Sequence, residues 1–506
     1  MTSPASDEPA RHPLVETVSP PTTFSGILRR LGPGLIIAAS IVGSGELIGT
    51  TKTGADAGYS LMWLILIGCV IKVFVQVEFG RYAVAEGVPT IEALDQMPGP
   101  RLHVSWLVWA WLIMFIASAV AQLGGILGGV GQLIASKWPI TGDFIARLDL
   151  IEAVRVAKED VTKAIPGAAE RLSDLSAQLA SAHATVDDVY YSVGVAVVTS
   201  IMLLVGRYRV VQNVSTFLVA GFTLVTIFNV FALPYFGDVN VGWAPLWHGL
   251  SFHLPEKEGA LKTALATFGI IGVGASEVIA YPYWCIESGY ARFTGKRDGT
   301  ESWAMRARGW MRVMRVDCWV SMVIYTFATM AFYVLGAAVL HHRGLSPSKE
   351  GLIRTLESMY TVVFGAWGGW VFLFGAFAVL YSTLFVATAG NARVAADGLG
   401  VFKLIKRDDK TRIRWIQILC GTLPFMQLGV YVWSKDPVAL VILSGLAQAF
   451  LLPMLGLAAL YFRYKKCDPR IAPGKVWDSF LWLSVFGMAL AGGVGAYGEI
   501  MKLLGK

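Results

Sequence analysis

Long apolar stretches alternate with short polar ones along most of the chain. A helix that crosses a membrane needs roughly 20 mostly apolar residues, and about eleven segments reach that length. The pattern therefore predicts an all-α, polytopic membrane protein. The predicted spans cover residues 33–57, 58–80, 104–136, 189–206, 212–234, 260–289, 316–340, 362–390, 412–433, 437–461 and 477–499.

Residues 141–188 interrupt this pattern. They form two amphipathic segments, "FIARLDLIEAVRVAKEDVTKAI" and "AAERLSDLSAQLASAHATV", separated by Pro166 and Gly167, and such periodicity predicts surface helices. The stretch holds nine acidic and five basic residues. We expect a helical insert outside the cytoplasm that packs on the outer loops. Attraction of cations or binding of a partner protein is the alternative.

The chain divides into four regions, one of which is the insert. Residues 1–25 are polar and proline-rich, without the charged and apolar regions of a signal peptide, which predicts a disordered cytoplasmic tail. Residues 26–140 hold the first three predicted spans. Residues 189–506 hold the other eight and follow the insert at 141–188.

Composition supports the membrane assignment and excludes a soluble class. The chain is 55% hydrophobic and 15% charged, with a mean hydropathy of +0.58. The net charge of +7 does not indicate nucleic-acid binding, because the basic residues concentrate in alternate loops. By the positive-inside rule the N-terminus is cytoplasmic and the C-terminus outside, and we expect a bacterial inner membrane. These basic loops lie near 207–209, 292–315, 403–414 and 462–466.

Two predicted spans carry a glutamate beside glycines. "GSGELI" covers Gly43 to Ile48, and "GASEVI" covers Gly274 to Ile279, so Glu46 matches Glu277. A charged group at mid-membrane costs on the order of 2.5–3.5 kcal/mol, and unwound backbone is tolerated there only where it is buried in protein or lines a cavity. In a transporter built from two five-helix halves of inverted orientation, span 6 is the counterpart of span 1. The first helix of each half is then broken, and the substrate binds between the two breaks. Close helix packing with protonated glutamates is the structural alternative.

Further polar residues lie within or near the spans. Pro282 is a candidate for the break in span 6, with Tyr281 beside it. Lys72, Glu78 and Arg81 are expected toward the inner end of span 2, and the last two have the spacing of an ion pair. We expect Asp317 to face water at the start of span 7. The five cysteines are scattered without CxxC spacing and predict neither disulfides nor a thiolate metal site.

Two stretches carry a family resemblance. "GPGLIIAASIVGSGELIGTTKTGADAGYSLMW", Gly32 to Trp63, resembles the first helix and the start of the second helix of the NRAMP family of proton-coupled divalent metal transporters. "LVILSGLAQAFLLPMLGLAALYF" is similar to that family's tenth helix. The resemblance implies the LeuT-type fold, a 5+5 inverted repeat plus one extra helix.

The chain departs from the family where the family's chemistry lies. The first-helix Asp-Pro-Gly-Asn signature reads Gly43, Ser44, Gly45 and Glu46 here, and the family's Met-Pro-His aligns either with 276–278 or with 278–280. Neither register contains a methionine or histidine. The acidic pair of the family's third helix corresponds to Ala119 and Gln122. The metal-binding glutamine of the tenth helix corresponds to Gly445, with Gln448 nearby on the next turn.

These departures suggest a hard substrate and a different mode of coupling. Carboxylates, hydroxyls and carbonyls are the ligands that Mg²⁺ prefers, whereas a thioether favours softer metals. We expect a secondary transporter of a hard divalent cation such as Mg²⁺, without the family's usual proton coupling. Any bound divalent cation is then substrate, and no cofactor is expected. The candidate binding residues are Gly43, Ser44, Gly45, Glu46, Ser276, Glu277, Ala280, Tyr281 and Gln448, with Glu46 and Glu277 as the metal ligands.

Two other functions remain open. The same fold can transport a small organic solute, either an amino acid or an organic cation. A receptor or scaffold that does not transport, with a partner at the insert, is the second. No nucleophile–base constellation or cofactor motif indicates an enzyme.

Overall fold

The computed structural model describes residues 17–206, 208–236, 241–255 and 259–503. Within these residues, eleven helical segments are long and apolar enough to cross a membrane, which confirms the predicted number. We call them spans 1 to 11. They cover Pro33–Ala57, Met62–Glu86, Trp106–Ala135, Asp187–Val205, Phe217–Phe236, Ala260–Glu287, Glu301–His341, Lys349–Val401, Asp409–Ser434, Pro437–Lys466 and Lys475–Gly495. The helices that hold the fifth and last spans run over Tyr208–Phe236 and Lys475–Leu503.

Span 1 is broken, as predicted. Its first half, span 1a, covers Pro33–Ile41 and its second half, span 1b, covers Ser44–Ala57, with a π-helical turn over Ser44–Thr50. The backbone leaves the helix at Val42 and Gly43. The break thus lies at 42–43 and includes Gly43, the first glycine of the GSGELI stretch.

Span 6 is also broken, but not at its proline. Span 6a covers Ala260–Ile270, and span 6b covers Ala275–Glu287. Pro282 lies inside span 6b, which corrects the suggestion that it breaks the helix. A proline removes only one helical hydrogen bond, and neighbouring helices make that loss tolerable in membrane proteins. The break at 271–274 instead contains two glycines, Gly272 and Gly274.

The remaining spans show local irregularities. Span 3 contains a π-helical turn over Ile116–Gln122. Span 7 starts well before the predicted residue 316, because Thr300 caps it and an amphipathic basic stretch forms its first turns. The segment Lys349–Val401 begins with a separate helix, Leu352–Phe364, and span 8 from here on means its long helix, Gly368–Val401. Shorter elements cover Phe24–Leu28, Thr90–Asp95, Trp243–Gly249, Tyr290–Thr294 and Pro469–Ile471, with strands at Arg101–Leu102 and Val104–Ser105.

Corresponding spans of the two halves pack on one another. Span 2 packs against span 7, and span 3 packs against span 8. Span 10 contacts span 6a and the π-turn of span 3, and span 11 lies against spans 10 and 2. This arrangement encloses the two breaks at the centre of the helix bundle.

The insert contains the helices Asp143–Thr162 and Ala168–Ser181. Its first helix is held to the segment before span 8 by ion pairs of Arg147 with Glu350 at 3.0 Å and Arg354 with Asp149 at 2.6 Å. Phe144 and Leu148 are buried beside Ala135 of span 3. These contacts hold the insert to the membrane-spanning helices.

The chain from residue 17 onward contacts the helix bundle. Val18 donates its backbone N–H to Phe293 O at 3.2 Å, and Trp310 donates its indole N–H to Val18 O at 2.9 Å. Residues 1–16 of the predicted tail lie outside the described residues.

Candidate functional site

A small cavity lies where the breaks of spans 1 and 6 face spans 3 and 8. Its volume is about 30 Å³, and a cavity of roughly 10–15 Å³ already holds one water. Apolar residues such as Ile37, Leu123 and Trp284 form part of its wall. Its polar wall is formed by Ser40, Ser44, Ser118, Gln122, Ser276, Glu277, Thr383 and Asn391. The site can therefore hold a small ion with a few waters.

A continuous row of hydrogen bonds lines one side of this cavity. Gln122 donates to Ser44 Oγ at 3.1 Å and accepts from Gln448 at 2.8 Å. Gln448 Oε1 accepts from the Ser276 backbone N–H at 3.1 Å. Ser276 Oγ lies 2.9 Å from both Gln448 Oε1 and Glu277 Oε2, and its proton goes to one of them at a time. The row joins spans 1, 3, 10 and 6 through side chains that hold one another in place.

Glu277 is the carboxylate that lines the cavity, at the first turn of span 6b. The N-terminus of a helix favours negative charge because its N–H groups are unpaired. A Cβ at Gly274 would lie 2.6 Å from Glu277 Oε2 and 2.8 Å from Gln448 Oε1. It would also lie 2.9 Å from the Gly269 backbone oxygen, so any other residue at that position would displace Glu277 and Gln448 from the cavity wall.

Glu46 lies behind the cavity wall and is fully buried. Its Oε1 accepts hydrogen bonds from Gly272 N at 3.1 Å and Thr329 Oγ1 at 3.2 Å, and its Oε2 accepts from Gly43 N at 3.4 Å. Glu46 does not belong to the cavity lining. Of the two glutamates expected as metal ligands, Glu277 lines the cavity and Glu46 does not, because backbone N–H groups of the two breaks hold the Glu46 carboxylate.

Lys72 lies at the break of span 6 rather than toward the inner end of span 2. Its ammonium donates to Phe268 O at 2.7 Å and Ile271 O at 2.5 Å, and the side chain is fully buried. These carbonyls belong to the last turn of span 6a and the residue after it. Unpaired carbonyls at the C-terminus of a helix attract cations, so Lys72 supplies a fixed positive charge next to the site. Glu78 and Arg81 form the predicted ion pair at 3.1 Å.

Tyr281 points away from the cavity toward Asp317. Its hydroxyl donates to Asp317 Oδ2 at 3.2 Å, and it does not belong to the cavity lining. Asp317 also accepts from the backbone N–H groups of Gly34 at 2.5 Å and Gly32 at 3.1 Å. Asp317 is buried, which corrects the expectation that it faces water, because it caps the N-terminus of span 1a.

The candidate residues fall into three groups. Ser44, Gly45, Ser276, Glu277 and Ala280 line the cavity, and Gln448 supports its wall. Gly43 packs against span 8, where a Cβ would lie 2.0 Å from Thr383 Oγ1. Glu46 and Tyr281 lie outside the lining.

Sequence reasoning missed several polar lining residues. Ser118 precedes another lining residue, Gln122, by four positions within span 3, and Ser40 precedes Ser44 by four positions across the break of span 1. Hydroxyl and amide groups at this i,i+4 spacing on spans 1 and 3 were the available signal. The π-helical turn of span 1 begins at Ser44 and that of span 3 ends at Gln122, and π-turns in helices frequently occur at functional sites.

The side-chain atoms in the cavity wall that could bind a metal ion are hard oxygen ligands. The part of the chain that the structure describes has no group of three or more His, Cys, Asp or Glu side chains placed to hold a metal ion. Among the residues with described positions, neither methionine nor cysteine lines the cavity. One carboxylate with hydroxyl and amide oxygens suits a cation that keeps part of its hydration shell.

Comparison with known proteins decides the family. The model of the family described as natural resistance-associated macrophage protein-like, Nramp, matches residues 34–142 and 168–496. The chain belongs to the Nramp family. The match spans most of the chain and leaves out residues 143–167, which contain the first helix of the insert.

Two metal transporters match this chain over most of its length. The divalent metal cation transporter MntH of Caldanaerobacter subterraneus subsp. tengcongensis is 21% identical over 432 residues, covering 84% of this chain and 82% of that protein. A variant of the Eremococcus coleocola manganese transporter matches in structure with a TM-score of 0.63 at 14% identity, covering 97% of this chain and 92% of that one.

The fold extends beyond Nramp proteins. A nucleobase-cation-symport-1 family transporter matches with a TM-score of 0.50 at 13% identity over 96% of this chain and 94% of that one. These structural matches confirm the LeuT-type fold. The protein is thus an integral, multi-pass membrane protein.

Proposed function

We propose that this protein is a secondary transporter of a hard divalent cation, with Mg²⁺ as the substrate. The observation that carries the proposal is the Glu277 carboxylate in a small cavity whose other polar groups are hydroxyls and amides. The relatives named as transporters of divalent metal and of manganese support a metal as cargo. Glu277 is then the direct ligand, and Glu46 positions the two breaks around it.

The size of the cavity favours an ion over an organic solute. About 30 Å³ is room for roughly two waters, far below the roughly 300 Å³ and more of ordinary small-molecule sites. Mg²⁺ keeps several waters and takes few protein ligands. In this conformation the cavity suits an ion that has lost part of its hydration shell.

Closed contacts on both sides of the cavity support alternating access. On one side, Thr53 of span 1b donates to Thr267 of span 6a at 2.8 Å. On the other side, Arg393 of span 8 pairs with Glu287 of span 6b at 2.6 Å. We propose that these contacts open in turn. We also propose a cytoplasmic N-terminus, an outer C-terminus and a bacterial inner membrane, from the distribution of basic loops.

Transport without the family's proton route follows from the groups that replace it. Gln122 bonds to the neutral side chains of Ser44 and Gln448, and Ala119 offers no titratable group. Lys72 already places an ammonium on the carbonyls at the span 6 break. Because this ammonium already occupies the carbonyls at the span 6 break, no transported proton is needed to place a positive charge there. Substrate flux then runs without accompanying protons.

Reconstitution into liposomes tests this function. The purified full chain is assayed with Mg²⁺, Mn²⁺, Ca²⁺ and small amino acids, together with a pH-sensitive dye inside the vesicles. We expect saturable Mg²⁺ flux, weak Mn²⁺ flux and no proton flux coupled to either. Glu277→Gln should lose the Mg²⁺ flux, whereas Glu357→Gln, in the helix before span 8, should keep it.

Two results would contradict the proposal. Robust Mn²⁺ uptake with proton flux would indicate ordinary family behaviour despite the substitutions. Amino acid flux that also depends on Glu277 would replace the cation with an organic substrate.

A further inference from the structure

A second cavity, which shares no lining residue with the central site, lies between the inner ends of spans 3 and 8. We call it the basic pocket, and its volume is about 410 Å³. Its wall combines the short hairpin before span 3 with the loop after span 8. It is lined by Asp95, Arg101, His103, Gly400, Val401, Lys403, Ile405 and Arg407.

Positive charge dominates this wall. Arg101, Lys403 and Arg407 face a single lining carboxylate, Asp95. Asp95 Oδ1 already accepts from Arg101 at 3.0 Å and from Ser105 N at 2.8 Å. Glu92 lies outside the lining, where burial raises its pKa and the charge of Arg407 opposes that rise. The lining therefore has more basic than acidic side chains, and this excess positive charge can attract an anionic ligand.

The basic groups are fixed by the backbone around them. Arg407 Nε donates to Gly400 O at 2.9 Å, which engages one of the five N–H donors of its guanidinium. Lys403 and His103 both have left-handed backbone, with φ of 59° and 71°. This conformation is uncommon for residues with a side chain. It places both side chains at the same pocket.

Apolar side chains beside the pocket indicate the membrane surface. Leu102 is 76% exposed and Leu404 is 71% exposed, although each neighbours a basic lining residue. Trp109, in the first turn of span 3, donates to Leu102 O at 3.0 Å and packs on Phe402 at 4.9 Å. Tryptophan at the end of a span is typical of the headgroup region. Exposed leucines there can contact acyl chains.

We infer that the basic pocket binds the phosphate headgroup of an anionic membrane lipid. The guanidinium of Arg407 and the ammonium of Lys403 take the phosphate oxygens, and Leu102 and Leu404 contact the lipid tails. Basic pockets between spans on the cytoplasmic side are known to hold such headgroups. This inference does not depend on the proposed substrate.

Lipid binding to the delipidated full chain in detergent tests the inference. The probes are phosphatidylglycerol, phosphatidylcholine and inorganic phosphate, and native mass spectrometry reads the bound lipid. The variant is Lys403→Gln with Arg407→Gln. The matched control is Lys406→Gln with Lys410→Gln, which removes two exposed charges outside the lining, one from the same loop and one from the first turn of span 9.

We expect phosphatidylglycerol to bind more tightly than phosphatidylcholine. The lining variant should bind it roughly 20-fold more weakly, since each basic residue near an anionic surface contributes about fivefold. The control and a charge-conserving Lys403→Arg, Arg407→Lys variant should behave like the unaltered chain. Equal binding by the lining variant and its control would overturn the inference. Displacement of the lipid by millimolar inorganic phosphate would overturn the lipid as the source.

Discussion

Glu46 Oε1 accepts a hydrogen bond from Gly272 N at 3.1 Å. The carboxylate beside one broken helix is thereby tied to the backbone of the other break. Glu277, its counterpart in the sequence, instead lines the cavity. Two glutamates that look equivalent in the sequence consequently have different roles: Glu46 joins the two breaks, and Glu277 faces the cavity.

Glu277→Gln should weaken Mg²⁺ binding at least tenfold, or about 1.4 kcal/mol, with little effect on folding. The amide keeps the size of the side chain but lacks the charge that faces the ion. Isothermal titration with Mg²⁺ and a thermal unfolding scan measure the two effects. Unchanged affinity in the folded variant would exclude Glu277 as a ligand.

Glu46→Gln should mainly destabilise the protein, by about 1–3 kcal/mol. Its amide can offer one oxygen to Gly272 N and Thr329, but its NH₂ group then faces the donor N–H of Gly43. Thermal unfolding beside Glu277→Gln gives the comparison. A Glu46→Gln variant as stable as the unaltered chain would show that these bonds are dispensable.

Gly274→Ala should abolish cation binding, because its Cβ would lie 2.6 Å from Glu277 Oε2 and 2.8 Å from Gln448 Oε1. Gly194→Ala, where a Cβ meets nothing within 4 Å, is the control. Mg²⁺ titration of both variants is the measurement. Equal affinity in the two would mean that the cavity wall adapts and that its geometry does not control binding.

Lys72→Met should lower stability, because Phe268 O and Ile271 O lose their donor, and each unsatisfied buried group costs about 1–3 kcal/mol. Combining it with Glu46→Gln should cost less than the sum of the single effects, since both changes remove charge from one buried region. A double-mutant cycle from unfolding data measures this coupling. Strict additivity would mean that the two charges do not interact.

Acid pH should remove the contribution that Asp468, in the loop between spans 10 and 11, makes to the stability of the folded protein. Hydrogen bonds from Arg470 and the charge of Arg297 hold its pKa well below the usual range. A lowered folded pKa gives stability that is complete above the unfolded pKa of about 3.9 and is lost as pH falls below it.

The measurement compares the unaltered chain with Asp468→Asn across pH. The stability difference should be constant from neutral pH to about pH 5 and shrink below about pH 4. Arg470 is 30% exposed, so solvent screening keeps the effect modest. A difference that grows toward acid pH would contradict the assignment.

The sequence by itself determined the spans, the insert helices and the two breaks. A helix that crosses a membrane must be long and apolar and must satisfy its backbone internally, so its signal is contained in one local segment. The repeated glycine and glutamate spacing marked spans 1 and 6 for the same reason. Family membership was also readable, from Gly32 to Trp63.

Only the tertiary structure decided which polar side chains share the site. Lys72 and Asp317 each bond to backbone groups almost 200 or more positions away in sequence, and no local pattern records such partners. Gln122 belongs to the site because span 10 places Gln448 within hydrogen-bond distance of it. Glu46 lies outside the cavity lining because its carboxylate accepts a hydrogen bond from the Gly272 N–H at the other break. The direction in which a buried polar side chain points is set by the partners that helix packing places around it, since an unpaired polar group there is costly.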